Sequence, residues 1–245
     1  MKTTKIEWTD KTWNPVTGCT KLSTGCANCY AEIMANRLCA MGVDKYANKF
    51  TPTMHDEVLE EPLKWKKPHT IFVCSMADLF HEDVPFSFID KVMDIIRQAS
   101  HHRYQILTKR AVRMQEYFSK VVIPDNVWLG VTVESPTEVS RIESLRDLQS
   151  TIRFISCEPL VADLGEIDLT DIDWVIVGGE SGKRARPMKP DWVRSILQQT
   201  KEQGAAFFFK QLGTWGSDGV KRNKKANGKA LDGKVIQMMP ELAMR

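Results

Sequence analysis

The sequence predicts an α/β fold with a parallel sheet of about six to seven strands, most of them followed by a helix. Short runs of β-branched and aromatic residues alternate with stretches in which apolar residues have helical spacing. The strand candidates are nearly continuous apolar runs, which is typical of strands buried on both faces of a parallel sheet. At 245 residues and 42% hydrophobic composition, the chain is long enough to bury one large core.

Six runs have the length and composition of strands, and a seventh strand is expected within residues 5–13; the six runs are 70–75, 104–108, 127–133, 152–157, 174–178 and 206–210. Helices are predicted over 30–41, 86–99, 111–119, 136–148 and 192–203, the last of them ending at Gly204. Repeated units of this kind form either a (β/α) barrel or an open doubly wound sheet. The hydrophobic period does not distinguish these two arrangements.

Polar side chains stand at the end of each of the six strand runs. In both arrangements, functional residues collect at the carboxyl ends of the strands. Any one of these side chains also fits an ordinary capping or loop role. Because all six ends carry such groups, we expect a shared site built from Ser75 and Asp78, Thr108 to Arg110, Thr132 and Glu134, Ser156 and Glu158, Glu180 and Ser181, and Lys210 and Gln211.

A group of three cysteines predicts a metal centre. Cys19, Cys26 and Cys29 lie within eleven residues, with the spacing C-x6-C-x2-C. The C-x2-C pair lets two thiolates converge on one metal or cluster, and Gly18 and Gly25 free the adjacent backbone to fold around it. A closed zinc site needs a fourth ligand, and no His or Cys follows Cys29 at the usual short spacing. The pattern therefore favours a centre with one open position.

The other three cysteines, Cys39, Cys74 and Cys157, are scattered along the chain and are predicted to be small core residues. Apolar runs are far shorter than the roughly 20 residues that cross a bilayer, and the N-terminus lacks the pattern of an export signal. We therefore expect a cytoplasmic protein without a membrane span. The 34 basic and 31 acidic residues are too balanced to indicate a nucleic-acid-binding protein by themselves.

Several motifs along the chain together resemble the phage Gp37/Gp68 family, also known as a domain of unknown function with a three-cysteine motif. They are the cysteine segment 13–31, LTKR at 107–110, GVTVE at 130–134, FISCEPL at 154–160, VIVGGESG at 175–182 and FFKQ at 208–211. The resemblance covers nearly the whole chain. It implies a place in the radical S-adenosylmethionine (SAM) superfamily, with spore photoproduct lyase as a distant relative.

This resemblance implies a partial or full parallel (β/α) barrel of the radical SAM type over residues 1–213, with a cluster loop at 13–31 and an irregular basic tail, 214–245, packed on the same domain. It implies that the three cysteines bind a 4Fe–4S iron–sulfur cluster and that SAM occupies the open iron. The enzyme would then cleave SAM to a 5′-deoxyadenosyl radical that abstracts hydrogen from a substrate. The superfamily spacing is C-x3-C-x2-C, so the longer first interval departs from it.

The resemblance and the chemistry of SAM also suggest roles for the strand-end residues. The expected cofactor-binding residues are Ser75, Asp78, Lys109, Thr132, Glu134, Ser156, Gly179 and Glu180. Among them, Asp78 is expected to accept from the ammonium of SAM, Lys109 or Arg110 to bind its carboxylate, and Glu134 to accept from the ribose hydroxyls. Gly179 lies in a glycine-rich segment that is expected to let a ligand approach the backbone.

Two residues on later strands, Glu158 and Lys210, are the expected catalytic residues that contact the substrate. A flavodoxin or ferredoxin is the implied reductant, and a nucleotide or DNA is the suggested substrate. The alternative is a non-catalytic nucleic-acid-binding protein with a structural zinc or iron–sulfur site. Its motivation is a basic cluster in the tail, formed by Lys221, Arg222, Lys224, Lys225, Lys229 and Lys234. Because the cluster lies far along the sequence from the cysteine loop and from every strand end, neutralising Lys221, Arg222, Lys224 and Lys225 is expected to weaken nucleic-acid binding and to leave SAM cleavage untouched.

Overall fold

The computed structural model describes residues 4–241, which form two compact units. The first unit comprises the described residues up to Leu22, together with Cys29–Gly130 and Asp147–Thr151. The second comprises Ser23–Asn28, Val131–Arg146 and the described residues from Ile152 onward. The cysteine loop therefore contributes Cys19 and Cys29 to the first unit and Cys26 to the second.

The first unit alternates strands and helices. Its elements are β1 (Lys11–Trp13), β2 (Val16–Thr17), α1 (Tyr30–Ala40), β3 (Thr53–Met54), β4 (Thr70–Val73), α2 (Phe86–Gln98), β5 (Arg103–Thr108), α3 (Ala111–Phe118) and the first four residues of β6 (Val127–Thr132). Helix α2 follows Pro85, whose φ of −66° and ψ of 148° are those of an extended residue. It buries an apolar stripe that includes Phe88, Val92 and Ile96.

The second unit contains the end of β6, then α4 (Arg141–Arg146), β7 (Ile152–Cys157), β8 (Trp174–Gly178), α5 (Pro190–Gln203), β9 (Ala206–Gln211), α6 (Lys224–Asn227), β10 (Ala230–Leu231) and β11 (Lys234–Val235). Helix α5 begins with Pro190 and ends at Gly204, which has the left-handed φ of 80° that favours glycine. In place of one helix over 136–148, the structure has a short 3-10 turn, Pro136–Glu138, and the separate α4. In the described part of the chain, no helix is long and apolar enough to cross a membrane.

The main sheet has seven strands in the order β1–β4–β5–β6–β7–β8–β9. The pairs β1–β4, β4–β5, β7–β8 and β8–β9 are parallel. The predicted α/β class and strand number are therefore confirmed. Strands β1 and β9 are the outer strands, so the sheet corresponds to the partial barrel, one of the two predicted forms. The six predicted runs agree with the observed strands to within two residues at each end. Only the first strand is much shorter than predicted.

The tail, expected to be irregular, follows the outer edge of β9. The backbone N–H of Phe209 donates to the carbonyl of Ile236 at 2.7 Å, and the N–H of Met238 donates to the carbonyl of Phe207 at 3.0 Å. The indole N–H of Trp174 donates to the carbonyl of Met238 at 2.9 Å. Residues 236–238 thus pair with backbone groups that an exposed edge strand would leave open.

Candidate functional site

In the first unit, Cys19 lies beside a buried cation, Arg110. One terminal nitrogen of Arg110 donates to the Cys19 sulfur at 3.5 Å and to Asp78 at 3.3 Å. Its Nε donates to Glu82 at 2.8 Å, and its other terminal nitrogen donates to the Thr20 hydroxyl at 3.0 Å. Burial alone would lower the pKa of Arg110, but Asp78 and Glu82 raise it above its usual range. A permanent positive charge is therefore fixed next to the first cysteine.

Asp78 holds this cation in place and is fully engaged within the protein. One carboxylate oxygen accepts from the backbone N–H of Phe80 at 3.0 Å and from the Thr108 hydroxyl at 2.6 Å. The other accepts from the backbone N–H of Lys109 at 3.0 Å and from Arg110. This contact set differs from the expected one, in which Asp78 accepts from the ammonium of SAM, because four protein donors already surround the carboxylate.

The loop after β4 contacts the beginning of α1. The hydroxyl of Ser75 donates to the side-chain oxygen of Asn14 at 3.0 Å. The carbonyl of Ser75 accepts from the hydroxyl of Tyr30. Tyr30 is the first residue of α1, and Cys29 is the residue before it. Ser75 therefore lies in contact with the residue that follows the third cysteine.

In the second unit, two buried glutamates hold residues 23–28 of the cysteine loop. The first of them, Glu134, accepts from the hydroxyl of Ser23 and from Arg141, the latter at 2.9 Å. A Cβ atom on Gly25 would lie 2.6 Å from a carboxylate oxygen of Glu134. The loop therefore needs a glycine where it passes this carboxylate.

The second glutamate, Glu180, accepts from the side-chain amide of Asn28 at 3.0 Å. Its two oxygens also accept from Nε and from one terminal nitrogen of Arg186, at 3.0 and 2.7 Å. Burial would raise the pKa of Glu180, but the hydrogen bonds from Arg186 and Asn28 bring it below its usual range. Arg186 in turn donates to the carbonyl of Thr24 at 2.9 Å. The charged carboxylate and its arginine thus fix the loop on both sides of Cys26.

The two predicted catalytic residues form an ion pair. The Nζ atom of Lys210, near the end of β9, lies 2.7 and 2.8 Å from the two carboxylate oxygens of Glu158, just after β7. Their side chains are 23% and 18% exposed, so the pair keeps access to solvent. Gly178, at the end of the intervening β8, makes room for them, because a Cβ atom there would lie 3.0 Å from Glu158.

Three other predicted residues line the strand ends of the second unit. Gly179 is required by a close approach of backbone, since a Cβ atom there would lie 2.0 Å from the carbonyl oxygen of Leu212. The segment that comes close here is the backbone at Leu212, and the approach of a ligand to Gly179 stays a prediction. Thr132 and Ser156 are both buried, and the carbonyl of Thr132 accepts from Arg141 at 2.7 Å.

The six cysteines fall into two environments. Cys19, Cys26, Cys29 and Cys39 are half-buried, whereas Cys74 and Cys157 are buried. Burial raises the pKa of Cys157, and it raises that of Cys74 to about 12, as expected for core thiols. Among residues 4–241, no group of three or more His, Cys, Asp or Glu side chains is arranged to hold a single metal ion. Cys39, predicted to be a core residue, is thus only half-buried. The three half-buried thiols of the cysteine loop, with a cation at Cys19, have the donor chemistry that suits an iron–sulfur cluster.

The sequence did not single out the side chains that hold the loop: Ser23, Asn28, Arg141 and Arg186. Weak signals existed, because Ser23 and Asn28 stand inside the cysteine segment, and each arginine follows its glutamate by six or seven residues. No local pattern indicates that Ser23 and Asn28 contact these glutamates.

The model of a family of proteins of unknown function, DUF5131, matches residues 3–240. The chain belongs to the DUF5131 family. No curated protein matches this DUF5131 chain. The name phage Gp37/Gp68, suggested by the sequence motifs, is not part of the family description and stays a prediction.

The solved structures that resemble this DUF5131 protein include several of spore photoproduct lyase. The complex of that enzyme with dinucleoside spore photoproduct is 12% identical, with a TM-score of 0.44 over 77% of this chain and 60% of the enzyme. A cysteine-to-serine variant of the enzyme is also 12% identical, with a TM-score of 0.46 over 83% of this chain and 65% of the enzyme. The DUF5131 chain thus spans less than two thirds of the length of these structures.

Proposed function

We propose that this DUF5131 protein is a radical SAM enzyme in which Cys19, Cys26 and Cys29 bind a 4Fe–4S cluster. The observation that supports it best is the cysteine loop, whose three thiols are half-buried and whose flanking residues are held by buried charged groups. When bound, the cluster would supply the electron that cleaves SAM to a 5′-deoxyadenosyl radical. A cytoplasmic reductant such as a flavodoxin or ferredoxin belongs to this proposal.

The charged residues around the loop act in this proposal by positioning. Arg110 places a hydrogen-bond donor and a positive charge on the Cys19 sulfur, which stabilises negative charge there. Glu134 and Glu180 orient the loop through Ser23 and Asn28. Ser75, Lys109, Thr132, Glu134, Ser156, Gly179 and Glu180 remain the proposed residues at which SAM is bound. Asp78, whose acceptor positions are filled by protein donors, acts in this proposal by holding Arg110 at the edge of that site.

Glu158 and Lys210 are proposed to contact the substrate. They are paired at hydrogen-bonding distance across the end of β8, and each is partly exposed. A pair of this kind offers one acceptor and one donor to a polar substrate and can hold or move a proton between them. Lys210→Met is expected to preserve cluster binding and to reduce substrate turnover by about 10²–10⁴-fold, the usual scale for a general acid or base.

Anaerobic reconstitution with iron and sulfide tests the cluster assignment. Replacing any of Cys19, Cys26 or Cys29 by Ala is expected to abolish the visible iron–sulfur absorbance and the production of 5′-deoxyadenosine from SAM. Cys39→Ala is the matched control and is expected to retain both. A full cluster in Cys26→Ala would contradict the assignment. A colourless, zinc-containing wild type that produces no 5′-deoxyadenosine would instead favour the non-catalytic nucleic-acid-binding protein.

A further inference from the structure

The basic part of the tail is folded against the loop that follows β8. The ammonium of Lys221 donates to the carbonyl of Lys183 at 2.6 Å. The indole N–H of Trp215 donates to the carbonyl of Ala185 at 2.7 Å, and the Lys221 ammonium lies 5.4 Å from the centre of the Trp215 ring. These contacts place Lys221, and the tail segment that carries it, beside Lys183 and Arg184 of the loop after β8. Separation along the sequence therefore does not keep this part of the tail away from the loop after β8.

The same loop also contacts the cysteine loop within the second unit. The side-chain amide of Asn28 donates to the carbonyl of Arg184 at 2.9 Å as well as to Glu180. Arg184 directly follows Lys183, whose carbonyl accepts from Lys221. Its own carbonyl accepts from Asn28, the residue before Cys29. A polymer lying on the tail lysines would pass within one loop of residues 23–28.

The exposed cations brought together in this way come from two distant segments of the sequence: Lys183 and Arg184 from the loop after β8, and Lys221, Arg222, Lys224 and Lys225 from the tail. Arg222 is held by both oxygens of Asp218, at 2.6 and 2.8 Å, and so shapes the turn. The side-chain oxygen of Asn223 accepts from the backbone N–H of Lys225 at 2.9 Å, which fixes the next turn. The cations are therefore mounted on an ordered backbone.

We propose that this basic surface, defined as Lys183, Arg184, Lys221, Lys224 and Lys225, binds the phosphate backbone of a nucleic-acid substrate. The inference names the substrate class of the proposed radical SAM enzyme and rests on that function for its catalytic meaning, although the binding can be measured without catalysis. Clustered lysines and arginines neutralise successive phosphates and release their counterions, which gives affinity without sequence preference. A basic membrane-binding helix needs an apolar face, and the four residues of α6, Lys224–Asn227, present none.

The test is a titration of labelled single-stranded and duplex DNA at several salt concentrations, with the full chain before and after cluster reconstitution. The quadruple variant Lys183→Gln, Lys221→Gln, Lys224→Gln, Lys225→Gln removes four of the five cations. For duplex DNA, the slope of the logarithm of the binding constant against the logarithm of salt concentration is expected to be steeper by about 3–4 in the wild type than in the quadruple variant. Each lost phosphate contact reduces that slope by about 0.9. Affinity at low salt is expected to fall at least tenfold in the variant.

The matched control removes four exposed lysines of the first unit, Lys64, Lys66, Lys67 and Lys120, and changes the net charge equally. The control variant is expected to have a salt slope within about 0.9 of the wild-type slope, the change that one phosphate contact makes. Equal slopes for the wild type and the test variant would overturn the proposal, and so would a wild type that binds anionic lipid vesicles but neither form of DNA. Loss of DNA binding with 5′-deoxyadenosine production intact would support the surface. A wild type that binds DNA but forms no cluster on reconstitution would refute the radical function alone.

Discussion

At the scale of single residues, Arg110 is the point on which the contacts around Cys19 converge. It is 6% exposed and binds two carboxylates, a hydroxyl and the cysteine sulfur. Its partner Asp78 is equally buried, so neither charge is well hydrated. Removing one member of a buried pair leaves the other without compensation, which costs far more than the pair contributes when intact.

Arg110→Met is therefore expected to lower the free energy of unfolding by about 3 kcal/mol, the lower end for a broken buried pair, since Asp78 keeps its other three donors. Arg97→Met is the matched control, because Arg97 forms an exposed pair with Asp94 at 2.7 Å. Such an exposed pair contributes about 0.3–0.5 kcal/mol. Urea unfolding of both variants measures the difference. Equal losses would show that the buried cation has no special structural role.

At the scale of elements, the outer edge of β9 determines the role of the tail. The strand is apolar along Phe207 to Phe209, a composition that favours association when an edge is left unpaired. Residues 236–238 supply backbone partners to this edge, and the indole of Trp174 adds a third hydrogen bond to the same segment. The tail therefore protects the strand as well as carrying the basic surface.

Met238→Pro is expected to destabilise the protein by about 1–3 kcal/mol, because it removes the N–H that bonds to Phe207 and leaves that buried carbonyl unsatisfied. Met238→Leu keeps the N–H and is the control, with an expected change below about 1.5 kcal/mol. Thermal unfolding and light scattering of the two variants give the comparison. If the proline variant is as stable and as monodisperse as the leucine variant, the edge contact contributes little.

At the scale of the whole molecule, the chain has 34 basic and 31 acidic residues, and several of the carboxylates form ion pairs in the folded state. Glu180 is the clearest case, because its pKa lies below the ordinary 4.5 as a result of Arg186 and Asn28 overcoming burial. Its contribution to stability is fully present above pH 4.5 and is lost as the pH falls through its lower folded pKa. Acid should therefore destabilise the protein partly through this residue.

Glu180→Gln is expected to be less stable than the wild type at neutral pH and to lose less stability between about pH 5 and about pH 3, since the titrating group is gone. Glu116→Gln replaces an exposed carboxylate of α3 whose nearest lysine is 4.0 Å away, and it is the control. Urea unfolding across this pH range gives the two slopes. A slope identical to the wild type in Glu180→Gln would contradict the assignment of the acid response to this residue.

The sequence predicts the fold more completely than it predicts the contacts of the site. The strands of 152–157 and 174–178 were predicted at their observed bounds, since a buried strand is recognisable from a local run of apolar side chains. The cysteine segment and the polar residues at the strand ends are likewise recognisable from local order. The ion pair between Glu158 and Lys210 is not, because it joins residues 52 positions apart. The helix over 136–148 was predicted too long, because its apolar spacing continues across the turn that separates Pro136–Glu138 from α4.

The sequence by itself determined the α/β class, the strand runs and the cysteine segment, because each depends on residues close together in the chain. Only the tertiary structure decided which side chains hold the cysteine loop and where the basic tail lies. Arg110 reaches Cys19 across 91 residues, and Asn28 reaches Glu180 across 152. The physical reason is that a hydrogen-bond donor can pair with any acceptor of similar chemistry, so the partner is chosen by the packing of distant strands and leaves no local pattern.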